Sequence, residues 1–102
     1  MIISPTTWDE AIDAPKANVV KGPVYPFEAW RSRTAGYARV VFRTDSVGHV
    51  TEIRCVDASD DRFRAATEAA LAQWKFAHTS GGPFRLNFRY SVSDSGAFIE
   101  WN

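Results

Sequence analysis

The nine residues Phe84-Arg85-Leu86-Asn87-Phe88-Arg89-Tyr90-Ser91-Val92 alternate without a break. Phe84, Leu86, Phe88, Tyr90 and Val92 share one side, and Arg85, Asn87, Arg89 and Ser91 share the other. A period of two predicts a strand with one face on a core and the other toward water. Just upstream, Thr79-Ser80-Gly81-Gly82-Pro83 breaks the pattern and reads as a turn. Before it, Phe63, Ala66, Ala70, Leu71 and Trp74 recur at helical spacing, with Arg62, Arg64, Glu68 and Lys75 pointing elsewhere. Ser59, Asp60 and Asp61 offer capping oxygens and negative charge at the start of that helix.

Further toward the N-terminus the period returns to two. From Tyr37 to Thr44, Ala38, Val40 and Phe42 oppose Tyr37, Arg39, Val41 and Arg43. From Val50 to Val56, Thr51, Ile53 and Cys55 oppose Glu52, Arg54 and Val56. Asp45-Ser46-Val47-Gly48-His49 between them is turn chemistry, with Gly48 free to take positive φ, so the two strands should form an antiparallel hairpin. Tyr25-Pro26 leads into a short helix over about Pro26 to Arg33, ended near Gly36. The expected fold is α+β: a three-stranded antiparallel sheet with two helices on one face, in the order α-β-β-α-β. Residues 1–24, with Pro5, Pro15 and Pro23, read as an extended arm whose Trp8 docks on the domain. Residues 25–93 form the domain, and 94–102 a tail in which Ala97 to Trp101 is a candidate edge strand. Arm or tail can add a strand to the sheet.

At 102 residues the chain holds one domain. Hydrophobic residues at 45% and charged residues at 24% exclude wholesale disorder. Zero formal charge removes the electrostatic footprint of a nucleic-acid or polybasic membrane binder, so any basic surface must be local. No stretch approaches the ~20 apolar residues that span a bilayer, so this chain inserts no helix into a membrane. Nor does the N-terminus have the basic and apolar segments of a secretion signal.

Catalysis finds little support, and we expect no enzyme, no catalytic residue, no cofactor and no metal. His49 and His78 fall in turns, without metal-ligand spacing. Cys55, the single cysteine, falls on the inward side of its strand and reads as a small core hydrophobe. Asp60-Asp61 is explained by helix capping, and Ser80-Gly81-Gly82 lacks the residues that complete a phosphate loop.

More informative is the outward sheet face, which collects Arg39, Arg43, Arg54, Arg85 and Arg89 against one acid, Glu52. Nucleic acid could use such a patch, but only Tyr37 is available there for base stacking, and the net charge argues against it. Acids of the arm or tail, Asp9, Glu10, Asp13 or Glu100, or the carboxylates of a protein partner, answer the same charges.

The ordered motifs resemble the TonB C-terminal domain of energy transducers over about Gly22 to Val92. Tyr25-Pro26 opens the first helix, and Gly36-Tyr37-Ala38-Arg39-Val40-Val41-Phe42-Arg43-Thr44-Asp45 with Gly48 and Val50 resembles the family's glycine-led strand and turn. Ala65-Ala66 through Leu71 and Trp74-Lys75-Phe76 is similar to its alanine-rich helix ending in Trp-x-Phe, and Gly82-Pro83 opens the last strand. His78 stands where the family usually has proline, and Gly22 and Val24 where polar residues often precede Tyr-Pro. The family's transmembrane anchor and proline-rich spacer do not occur in these residues, so this stretch by itself is not expected to couple a membrane potential to anything.

The resemblance implies a protein-interaction module that grips an outer-membrane transporter by pairing its last strand with an extended peptide, with Tyr25 and Pro26 as a partner-contact motif. The edge expected to accept the peptide is Phe84, Arg85, Leu86, Asn87, Phe88, Arg89 and Tyr90, unless the tail caps it. A periplasmic location is implied for a fragment of an anchored transducer, and a cytoplasmic one if Met1 is the native start. Two other functions compete: a self-associating structural domain that dimerises by strand exchange, and a small nucleic-acid binder using the arginine face.

Overall fold

The structure is a computed structural model and describes residues 8, 10–77 and 81–102. Pro5, Asp9, His78 and Thr79-Ser80, which figure in the sequence reading, lie outside the described residues. In chain order the elements are β1 (Ile12–Asp13), β2 (Ala17–Val19), α1 (Phe27–Arg31), β3 (Gly36–Thr44), β4 (Val50–Ala58), α2 (Asp61–Leu71), β5 (Lys75–Phe76), β6 (Gly81–Ser93) and β7 (Gly96–Trp101).

The expected hairpin forms β3 and β4, and β6 returns after α2 to pair antiparallel with β3. That is the predicted three-stranded antiparallel core, but the sheet is larger. The N-terminal segment adds β1, parallel to the start of β6, and the tail adds β7, antiparallel to its end, making a mixed five-stranded sheet. A second, two-stranded ladder joins β2 to β5.

Helix α1 is shorter than its sequence suggested. Pro26 caps it with φ −57°, but Arg33 turns left-handed at φ 57° and the Thr34 amide closes on the Ala29 carbonyl at 2.8 Å, so the helix stops before Gly36. Gly36 opens β3 instead, where a Cβ would run into the Phe63 ring and the Ser59 hydroxyl. Helix α2 starts as expected: Asp60, in extended conformation, accepts the Arg62 amide at 2.8 Å. It ends at Leu71, earlier than the apolar spacing implied. Trp74 therefore lies beyond the helix, yet the Trp74 amide still bonds the Leu71 carbonyl at 3.0 Å, and this tight turn keeps the indole in the core. Lys75 and Phe76 then run extended as β5.

Ala38, Val40, Phe42, Leu86, Phe88 and Tyr90 are buried, as the alternation required. All of these but Ala38 join Phe84, Ala29 of α1, Phe63 and Leu71 of α2, and Trp74 and Phe76 in one aromatic-rich cluster, so both helices lie on the same sheet face. The buried polar residue of α2 is Thr67, whose hydroxyl meets the Tyr90 hydroxyl at 2.6 Å. Ala66, expected in the core, packs at its margin.

Candidate peptide-binding edge

Strand β6 pairs with β3 along one side, from Gly81 to Tyr90. Its other side is shared between the two ends of the chain. Ile12 and Asp13 lie beside Phe84 and Arg85, and the Ala14 amide donates to the Arg85 carbonyl at 3.2 Å. Beyond them, β7 covers Phe88 to Ser93, and Asn87 exchanges amide-to-carbonyl bonds of 2.9 and 3.2 Å with Asn102. The tail thus caps the edge. The two covers differ in strength. β7 has a six-residue ladder and Trp101, whose ring meets Trp74 at 5.3 Å and Phe88 at 5.8 Å; β1 has two residues, and Ile12 and Asp13 are both exposed.

The outward face of the sheet is ordered in rows by register. Arg39 lies between Asp57 and Asn87; Arg43 lies opposite Glu52; Arg54, Val41 and Arg85 form a third row that Asp13 extends; and Arg89 lies opposite Glu100. Asp57 joins Arg39 because the ladder skips Val56, so Cys55 faces inward beside Val40 while Asp57, only two residues on, faces out. The ion pairs follow: Arg39 to Asp57 at 4.0 Å, Arg43 to Glu52 at 3.7 Å and Arg85 to Asp13 at 3.1 Å. Among the described residues, Arg54 alone of the five arginines has no acid directly opposite it.

Trp8 docks here. Its ring lies 5.8 Å from the Arg39 guanidinium and 5.5 Å from that of Arg85, and its carbonyl accepts from Arg85 Nη1 at 3.0 Å. The arm and tail thus lie along the arginine face, supplying Asp13 and Glu100. Glu10 is exposed and Asp9 lies outside the described residues.

The remaining sequence candidates lie elsewhere. Tyr25 belongs to the opposite, helix-covered face: its ring packs edge-on to Phe63 and Tyr90, and its hydroxyl donates to the Thr34 carbonyl at 2.6 Å. Pro26 caps α1, leaving Phe27 and Trp30 exposed and stacked on each other at 6.0 Å. Cys55 is half-buried, and burial pushes its thiol above the ordinary value, away from the reactive thiolate. His49 closes the hairpin turn, its amide held by the Asp45 carboxylate at 2.9 Å. Sequence reasoning missed Asp57, hidden by the bulge, and Asn102, which shows no pattern at all.

Strand edges are one of the features through which protein domains take up extended peptides. The family model described as the Gram-negative bacterial TonB protein C-terminal matches residues 21–92, and the chain belongs to that family. It is a family of non-enzymatic, protein-interaction domains, periplasmic in Gram-negative bacteria. Among the described residues no helix is long and apolar enough to cross a membrane. A search among curated proteins found no match to the sequence.

Proposed function

We propose that this domain captures an extended peptide of a protein partner, an outer-membrane transporter segment facing the periplasm, by strand addition along β6. Within the expected edge of Phe84 to Tyr90, the accepting stretch is its first part, Phe84 to Leu86. The observation that carries this reading is the unequal cover of β6: a two-residue strand at Phe84 and Arg85 against a six-residue hairpin strand farther on. Main-chain bonds would supply the affinity, and Arg85 and Arg89 favour an acidic or amide-rich sequence. Tyr25 and Pro26 hold α1 so that Phe27 and Trp30 remain available for a second contact.

The opposite edge of the sheet is less suited. Among the described residues β4 has a sheet neighbour on one side only, but its ladder skips Thr51 and Val56, and such bulges blunt an edge against pairing.

The test is an amide-shift titration of the isotope-labelled domain with extended transporter peptides. Shifts centred on Arg85 and Leu86 are expected. Shifts confined to β4 or α1 would overturn this reading.

A further inference from the structure

Trp8 and Asp13 contact the arginines of the outward face as side chains of a bound peptide would. Ile12 and Asp13 pair in parallel with Phe84 and Arg85. The Asp13 carboxylate meets Arg85 Nε at 3.1 Å, and the same guanidinium donates through Nη1 to the Trp8 carbonyl at 3.0 Å. The Trp8 ring sits over both Arg39 and Arg85, while Ala11, whose amide turns back to the Trp8 carbonyl at 3.3 Å, is buried. Backbone ladder, carboxylate clamp and cation–π contact are the three parts of a strand-addition site with side-chain specificity.

We propose that Arg39 and Arg85, beside the Phe84–Leu86 edge, form a recognition site for an acidic extended peptide with an aromatic ring N-terminal to its carboxylate, occupied in this chain by its own Trp8 and Ala11–Ala14. The proposal rests on the strand-addition reading above and adds what the site selects and what stands in it.

The hold is built to be lost. Asp13 keeps 90% of its side chain in water, and Ile12 is 62% exposed, so neither anchors the segment by burial. What favours the segment is its tether, which sets a high effective concentration at the edge. Beneath the same face, the buried Asn87 Oδ1 accepts no hydrogen bond from the described residues. An external peptide that brings a donor to it gains a contact the tethered segment does not make. A site closed by its own segment lowers the apparent affinity for any competitor by the fraction of time it is open.

The experiment uses the full chain and a synthetic peptide of residues 7–15, followed by amide shifts of the labelled protein. The double variant Trp8→Ala/Asp13→Asn should bind this peptide about tenfold more tightly than the unaltered chain, as expected where the site is open about a tenth of the time. Shifts should centre on Arg39, Arg85 and Leu86. Binding should fall when the peptide carries Asn at position 13, when Arg85→Gln is added to the variant, and as salt is raised. Asp13 is exposed and Trp8 and Arg85 are half-buried, so unchanged shifts in α2 and in β3 away from the face verify the fold. Equal binding to variant and unaltered chain, no binding to either, or binding indifferent to Arg85→Gln overturns the proposal. Because the probe is the chain's own segment, its capture alongside failure of every transporter peptide would overturn the proposed partner and leave this site standing. Transporter peptides that bind along β6 regardless of Trp8, Asp13 and Arg85 would do the reverse.

Discussion

Trp74 meets Trp101 edge to face, with ring centroids 5.3 Å apart, so the residue that ends the turn after α2 is also the one that receives the tail. The same indole donates from Nε1 to the Lys21 carbonyl at 2.8 Å and packs on Phe88 at 5.7 Å. One side chain thereby ties the N-terminal segment, the central strand and the C-terminal strand together. Trp74→Ala should cost about 3–5 kcal/mol, the range for large aromatic deletions in a core. Trp101→Ala, at the margin, should cost about 1 kcal/mol for the lost aromatic pairing. Urea unfolding of both variants measures the difference, and near-equal losses would show that Trp74 does not have this joining role.

The alternation in Phe84–Val92, Tyr37–Thr44 and the Asp60 cap were legible because each is a local pattern with a local cause. What escaped has non-local causes. Ile12–Asp13 and Lys75–Phe76 are too short to display a period, and they are strands only because β6 and β2 lie beside them. Gly81-Gly82-Pro83 has the composition of a turn, but it continues β6 where the register with β3 becomes irregular between Phe42 and Thr44, with Gly82 at φ 107°. The arginine face looked unbalanced because Asp57 is carried across the sheet by a bulge that alternation alone does not reveal. At the candidate edge, β6 itself was readable; its division between a weak and a strong cover was not.

Thr67 and Tyr90 form a buried hydroxyl pair at 2.6 Å. Tyr90→Phe should destabilise by about 1–2 kcal/mol, since Thr67 is left buried with a lost partner. Thr67→Val should do the same to Tyr90. The double variant should recover much of that loss because neither hydroxyl is then stranded. Additive losses in thermal melts would contradict the pairing.

The same burial pushes the Tyr90 phenol up to about 12, with the Thr67 bond opposing it. In the unfolded chain the group titrates at about 10. A raised phenol pKa means the folded state favours the neutral form, so its contribution is complete below pH ~10 and lost as pH climbs toward 12. Alkaline unfolding should therefore steepen in that window, and Tyr90→Phe should flatten it.

At the acid end the sign reverses. The Arg62 guanidinium and amide together hold the Asp60 carboxyl at about 2, below its ordinary value of about 3.9. Stability from this cap is complete above pH ~4 and drains as pH falls toward 2. Asp60→Asn retains a capping oxygen and should remove this part of the acid dependence. Asp60→Ala should lower Tm by roughly 4–8 °C at neutral pH, as for a lost helix cap in a domain of this size. An acid limb unchanged in Asp60→Asn would assign that dependence to Asp45 and Asp61, which are lowered by the His49 amide and by Arg64.

Removing the residues after Asp94 takes away β7, and with it the ladder along Phe88–Ser93 and the Trp101 ring on Trp74. The newly unpaired half of β6 runs six residues from Phe88 to Ser93 and carries Phe88, Tyr90 and Val92, and a long unpaired edge of this kind seeks another strand. Two copies could pair these edges antiparallel, so the shortened chain should dimerise with concentration, as read by light scattering. The N-terminal half of β6, still carrying β1, should show no change in Arg85 amide exchange. Asn87→Pro in the shortened chain should abolish the dimer, because the Asn87 amide points to this edge, where it bonds Asn102 in the intact protein at 2.9 Å. A shortened chain that stays folded and monomeric at all concentrations would mean that β7 supports Trp74 without guarding the edge.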